Sequence, residues 1–248
     1  MALTRLTPRF LPKVWGSTHL APWYPDPGEK IGEVWFEGVP KPPLLIKFLF
    51  TTGPLSVQVH PEGKTEMWHI LAAEPGAKIA AGFREQITEQ RLRESALSGE
   101  IEELLEWFDA RPGDTFFIPA GTVHAIGAGL ALCEIQQWSD ITYRLFDYGR
   151  PRELHLDEGV RVSRLGPHAA RQSARVGVLV ACPFFTTEKI RVDGRWLCES
   201  RGRDQMIVML QGQARIGAQA TREGEAWLAS VDEPAFDVSG TATLLRTY

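Results

Sequence analysis

The stretch Gly113-Asp114-Thr115-Phe116-Phe117-Ile118-Pro119-Ala120-Gly121-Thr122-Val123-His124 carries the strongest local signal in the chain. Gly113 makes a turn that opens a strand, and Pro119 and Gly121 close it. His124 follows at a fixed offset. A lone histidine is usually a surface residue or a satisfied core residue. Of the six in this chain, His19, His60, His69, His124, His155 and His168, spacing adds weight to two, His60 and His124.

Upstream, Ser56-Val57-Gln58-Val59-His60 alternates polar and apolar residues. Strand geometry puts Gln58 and His60 on one face with Ser56, and Val57 and Val59 on the other. Such a polar face is either an exposed sheet surface or the wall of a cavity. In the next strand, Glu66-Met67-Trp68-His69-Ile70-Leu71, Glu66 shares its face with Trp68 and Ile70. A carboxylate among large apolar groups needs a cation, because an unpaired buried charge is very costly. His69 points to the opposite face and is excluded as a partner of Glu66.

Working outward, Glu33–Glu37, Leu44–Phe50, Leu55–His60, Ala131–Gln136 and Ile141–Asp147 read as short strands. So do Phe185–Val192, Gln205–Leu210, Ala226–Ala229 and Ala242–Arg246. Many short strands at close spacing indicate a sandwich or barrel rather than alternating β-α units. Residues 1–32, rich in proline and carrying Trp15 and Trp23, read as an irregular leader that packs its aromatics elsewhere. Residues 86–108 break the pattern. Ile101, Leu104, Leu105 and Phe108 fall at helical spacing, Glu89 and Arg93 form an i, i+4 pair, and Gly99 divides the stretch into two short helices.

Composition excludes several classes. The chain has 248 residues, 44% hydrophobic and 23% charged, which rules out disorder and fibrous architecture. The net charge is −4 and no long basic run occurs, so nucleic acid is not an expected partner. No segment approaches the ~18 consecutive apolar residues of a membrane span, and the N-terminus lacks the apolar core of a signal peptide. Cys133, Cys182 and Cys198 are odd in number and widely spaced, which fits a reducing cytoplasm.

The Gly113–His124 stretch has the G-x5-P-x-G-x2-H spacing of the cupin β-barrels. Gly53, Gln58-Val59-His60 and Glu66 resemble the companion motif, with Gln58 where the usual cupin has the first histidine of His-x-His. Within the cupins the chain resembles the type I mannose-6-phosphate isomerases. Leu55–Pro61, Gly63-Lys64-Thr65-Glu66 and Glu134–Arg150 carry the likeness, together with Lys13-Val14-Trp15-Gly16 and Ile31–Trp35. Five residues separate His60 from Glu66, fewer than is usual in that family, and no room remains for the extra helical domain of its longer members.

That resemblance implies a mainly β fold, a double cupin-type β-barrel (jelly roll) with a short helical insertion. The expected organisation is a metal-binding barrel over 1–165, with the insertion at about 86–108, and a degenerate cupin-like barrel over 166–248 that closes the first barrel and buries its edge strands. It implies one divalent metal per chain, zinc or another, held by Gln58, His60, Glu66 and His124, and an active-site arginine at Arg144. Two imidazoles, a carboxylate and an amide oxygen are a donor set suited to such an ion. Arg144, read as sharing a strand face with Thr142 and Phe146, can pair with an anion. Lys64 and Glu134 are expected at the substrate site, each able to shift its pKa toward neutrality, with neither assigned as base. The implied reaction is interconversion of mannose 6-phosphate and fructose 6-phosphate through a cis-enediol, so the expected partner is a small sugar phosphate. The alternatives are a non-catalytic cupin that binds a sugar or metal, and an iron dioxygenase, which Gln58 disfavours.

Overall fold

A computed structural model describes residues 3–172 and 175–248, which form three sheets and three short helices. The architecture is mainly β, as the spacing of the sequence predicts. The first sheet has seven strands in the order Arg171–Gln172, Thr115–Ile118, Glu66–Ala73, Leu130–Gln136, Leu45–Thr51, Ile31–Glu37 and Thr7–Ser17. Facing it is a five-stranded sheet, ordered Tyr143–Phe146, Val57–Val59, His124–Ile126, Lys78–Phe83 and Leu105–Asp109. A third sheet, also of seven strands, is built from the C-terminal part of the chain plus Leu3–Arg5, which pairs with Ala226–Ala229.

Strand alternation decides what each layer touches. Every residue of Leu45–Thr51 is buried, so both faces of this strand are covered. Ile46, Phe48 and Phe50 turn outward into a core shared with Met206, Val208 and Leu245 of the third sheet. Leu49 turns inward with Trp68, Ile70 and Leu132 to meet Ile79, Ala81 and Ile126 of the five-stranded sheet. The third sheet therefore covers a face of the first sheet. The expectation that it buries edge strands is corrected: the edge strand Thr7–Ser17 instead carries Pro8 and Pro12, and proline, with no N–H to donate, fits an edge.

The leader is less irregular than its prolines suggest, since Leu3–Arg5 and Thr7–Ser17 are both strands. Trp15 and Trp23 are buried as expected, in separate cores. In the insertion, Thr88 Oγ1 accepts from the Arg91 N–H at 3.1 Å to start the helix Glu89–Ser98. Gly99, at φ +89°, ends it. A second helix spans Ile101–Leu104, but Leu105–Asp109 is a strand paired with Lys78–Phe83. The apolar spacing there suits either period, and the ladder decides it. Arg93 pairs with Asp157 at 2.7 Å rather than with Glu89. The helices pack on the back of the five-stranded sheet, where Leu92, Ala96 and Ile101 meet Val57, Val59 and Leu145. They lie away from the polar face of Gln58. No helix among the described residues is long and apolar enough to cross a membrane.

Candidate metal centre and substrate cavity

Three strands of the five-stranded sheet place chemistry in one row. His124 stands opposite Gln58, and Gln58 stands opposite Arg144. Residues directly opposed in a ladder project from the same face, so all three side chains share it. His60 follows Gln58 by two residues and joins that face. From the facing sheet comes Glu66, and beside it a second row formed by Trp68, Glu134, Lys47 and Trp35. Between the two sheets lies a cavity of about 480 Å³ whose wall includes Gln58, His60, Lys64, Glu134 and Arg144. A volume of that size suits a small-molecule ligand.

His60, Glu66 and His124 converge with almost no solvent exposure. His60 Nε2 lies 3.4 Å from Glu66 Oε2, and His124 Nε2 lies 3.6 Å from Glu66 Oε1. The other ring nitrogens fix the tautomers. His60 Nδ1 sits 3.0 Å from the Ile141 carbonyl oxygen and His124 Nδ1 sits 2.8 Å from that of Thr122. A carbonyl only accepts, so each Nδ1 carries the proton and each neutral ring turns a bare Nε2 lone pair toward Glu66. Burial keeps both rings neutral: it pulls His60 well below the usual imidazole range and His124 down to about 4. Two lone pairs facing a carboxylate repel it, and Glu66 Oε2 has no hydrogen-bond partner. Burial first, and Glu134 second, push the Glu66 carboxyl up to about 8. A cation placed between the three groups removes both conflicts, so the residues present fit a divalent metal.

Gln58 stands beside this cluster. Its Nε2 lies 3.3 Å from His124 Nε2, and its Oε1 accepts from Ser56 Oγ at 3.1 Å. A half-turn of the carboxamide exchanges its oxygen and nitrogen and turns the oxygen to the side of His124.

The second row behaves differently from the expectation for Glu134. Lys47 Nζ donates to Glu134 Oε1 at 2.7 Å and to Gln136 Oε1 at 2.6 Å, and Trp68 Nε1 donates to Glu134 Oε2 at 3.1 Å. Burial alone would raise the Glu134 carboxyl, but Lys47 and Lys64 outweigh it and hold the group below the usual carboxylate range. Glu134 is thus a fixed anion, not a group moved toward neutrality. Lys64 does shift in the expected direction, lowered by burial, and its Nζ donates to Thr142 Oγ1 at 3.2 Å.

Arg144 is half-buried on the cavity wall. Its Nη1 donates to the Glu153 carbonyl at 2.8 Å, while its Nε is buried without a partner. Thr142 lines the same cavity, but Phe146 does not share that face. A register shift between Arg144 and Phe146 turns Phe146 to the back, among Val57 and Leu145.

A curated mannose-6-phosphate isomerase from Streptococcus mutans is 32% identical to the chain, over 82% of the chain and 83% of the relative. The chain belongs to the mannose-6-phosphate isomerase family. A crystal structure of the mannose 6-phosphate isomerase from Bacillus subtilis superposes with a TM-score of 0.87 at 26% identity, covering 100% of both chains. Another family structure, bound with zinc and yttrium, superposes at a TM-score of 0.80 with 16% identity, covering 100% of this chain and 99% of that one, and speaks for the fold alone. No protein-family model matches the chain.

Set against that family, the sequence motifs bring Gln58, His60, Glu66, His124 and Arg144 together, with Lys64 and Glu134 on the same cavity. They miss Lys47, Arg152 and His155, which also line it. Lys47 left a signal, being the single charge in the apolar run Leu44–Phe50. Arg152 is held by Asp147, whose two oxygens accept from its guanidinium at 2.6 Å each. Neither Arg152 nor His155 has a distinguishing pattern in the sequence.

Proposed function

We propose that this chain interconverts mannose 6-phosphate and fructose 6-phosphate, with one zinc or other divalent ion held by Gln58, His60, Glu66 and His124. The observation that carries this reading is the pair of unprotonated Nε2 atoms facing Glu66 at the bottom of a cavity that also holds Arg144. Mere metal storage needs no guanidinium beside the ligands. A bound divalent ion would supply Lewis-acid stabilisation of negative charge on the sugar oxygens. Arg144, projecting from the same sheet face as Gln58, is placed to stabilise charge that develops on the substrate. The fixed Lys47–Glu134 pair and Trp68 hold the opposite wall rigid and exclude water behind it. Lys64, with a single hydroxyl partner, is freer than the doubly bonded Glu134 to exchange a proton with the substrate. Arg152, on the same cavity, adds positive charge suited to a phosphate.

A division into a metal-bearing unit at 1–165 and a second unit at 166–248 accords with the sheets. Two short strands cross it, Leu3–Arg5 in the third sheet and Arg171–Gln172 in the first. A cytoplasmic setting accords with the free cysteines, two of them buried. The test is a coupled assay of zinc-loaded protein with mannose 6-phosphate. Turnover supports the reading. Binding of sugar with no turnover of any hexose 6-phosphate would favour the non-catalytic cupin.

A further inference from the structure

We infer that His155 is a substrate-binding residue that donates an Nε2–H hydrogen bond to the phosphate end of the sugar phosphate. The inference rests on the proposed isomerase reading and assigns a further contact within its cavity.

The segment at His155 lies along the free side of the strand Tyr143–Phe146. The His155 N–H donates to the Arg144 carbonyl at 2.7 Å, and the Arg144 N–H donates back to His155 Nδ1 at 3.3 Å. A ring nitrogen that accepts a hydrogen bond carries no proton, so the N–H of the imidazole is on Nε2. Among the described residues no protein group accepts from that Nε2–H. His155 lines the cavity, so a donor fixed in orientation by the backbone of Arg144 stands at the substrate's wall.

Its place in the sheet says which part of the substrate it meets. Arg144 is one strand step from Gln58, and His155 is one step further out. At ~4.8 Å per step, His155 stands ~10 Å from Gln58. That is too far to reach sugar oxygens gathered at His60, Glu66 and His124. An open chain anchored there by its C1 and C2 oxygens runs its other end past Arg144 toward His155 and Arg152. A donor of fixed orientation on the cavity that Arg152 also lines adds direction to a phosphate contact.

The experiment compares wild type, His155→Phe and His155→Gln as zinc-loaded proteins, with zinc content and melting temperature measured alongside. Two readouts are used: KM and kcat for mannose 6-phosphate, and the dissociation constant of inorganic phosphate by calorimetry, which needs no turnover. Loss of one hydrogen bond to a charged phosphate predicts a roughly ten- to hundredfold rise in both KM and the phosphate constant for His155→Phe, with kcat changed far less. His155→Gln, whose amide can still donate, should lie between the two. If His155 only props the backbone of Arg144, kcat falls and phosphate binding stays at the wild-type value, which overturns the inference. Equal phosphate constants in all three proteins overturn it as well. A wild type that binds phosphate but turns over no hexose 6-phosphate defeats the isomerase reading, and the phosphate constants still decide the role of His155.

Discussion

Replacing Lys47 by Met should cost more stability than most single substitutions. Lys47 is 7% exposed and Glu134 5%. The ammonium holds Glu134 Oε1 at 2.7 Å and Gln136 Oε1 at 2.6 Å, and lies 4.9 Å from the centre of the Trp35 ring. Methionine fills a similar volume, so packing is largely kept while the charge and both hydrogen bonds are lost. Glu134 is left with only Trp68 as a partner. Removing one member of a buried pair costs roughly 3–5 kcal/mol. For a chain of this size each kcal/mol lowers Tm by roughly 2–4 °C, so the drop should be about 6–20 °C in a calorimetric scan.

Two controls make the argument specific. The double variant Lys47→Met with Glu134→Gln removes the stranded charge and should recover much of the loss, because the two sites are directly coupled. In the single variant, burial raises the Glu134 carboxyl once Lys47 is gone. A carboxyl whose folded pKa is raised gives stability at low pH that is lost as pH rises. The Tm deficit against wild type should therefore be smaller at pH 5.5 than at pH 8. A deficit under about 2 °C, or a double variant no more stable than the single, would refute the reasoning that Lys47 neutralises Glu134 in the wall of the cavity.

The remaining predictions concern the site itself. Arg144→Ala should leave zinc content unchanged and lower kcat by about 10²–10³, as for loss of one donor to developing charge; loss of metal in this variant would argue against its place outside the ligand set. His60→Ala should lose metal and activity together, read by elemental analysis and the coupled assay. Zinc binding should release about one proton near pH 7, because the metal-free Glu66 carboxyl is pushed up to about 8; calorimetry in two buffers of different ionisation enthalpy measures it. By the same sign, Glu66 makes the metal-free protein lose stability as pH rises from its ordinary range through about 8. The Tm gained on adding zinc should widen between pH 6 and pH 8.

Much of the site was legible because its residues break a local rule. Gln58 and His60 alternate with valines, and Glu66 stands among Trp68 and Ile70. Glu66 is a charge on an otherwise apolar face and asks for a cation, while the polar face of Gln58 and His60 asks for solvent or a cavity. The Gly113–Ile118 turn and strand are likewise fixed by local chemistry. What stayed hidden depends on pairing across the chain. Leu105–Asp109 satisfies either period and becomes a strand only because Lys78–Phe83 lies beside it. The prolines of Thr7–Ser17 suggest a loop until the strand is placed at an edge. Phe146 changes face through a bulge that no single-strand pattern contains.

The same distinction explains why the motifs find the proposed ligands and miss Lys47 on the opposite wall. A ligand set must converge within a few ångströms, and short strands with fixed offsets can achieve this locally, as Gln58 and His60 do. Lys47 and Glu134 are 87 positions apart and meet only because Leu45–Thr51 and Leu130–Gln136 run antiparallel in register. Each alone is a charge in an apolar strand, and such a charge is affordable only if its partner arrives at the same level of the neighbouring strand. The one-residue registration of that ladder therefore sets both the stability of the sheet and the shape of the cavity. A slip by one residue would turn Glu134 into the core shared with the third sheet and expose Lys47 to no counter-charge, so the alternation that packs Phe48 and Cys133 outward also fixes the pair facing the metal centre.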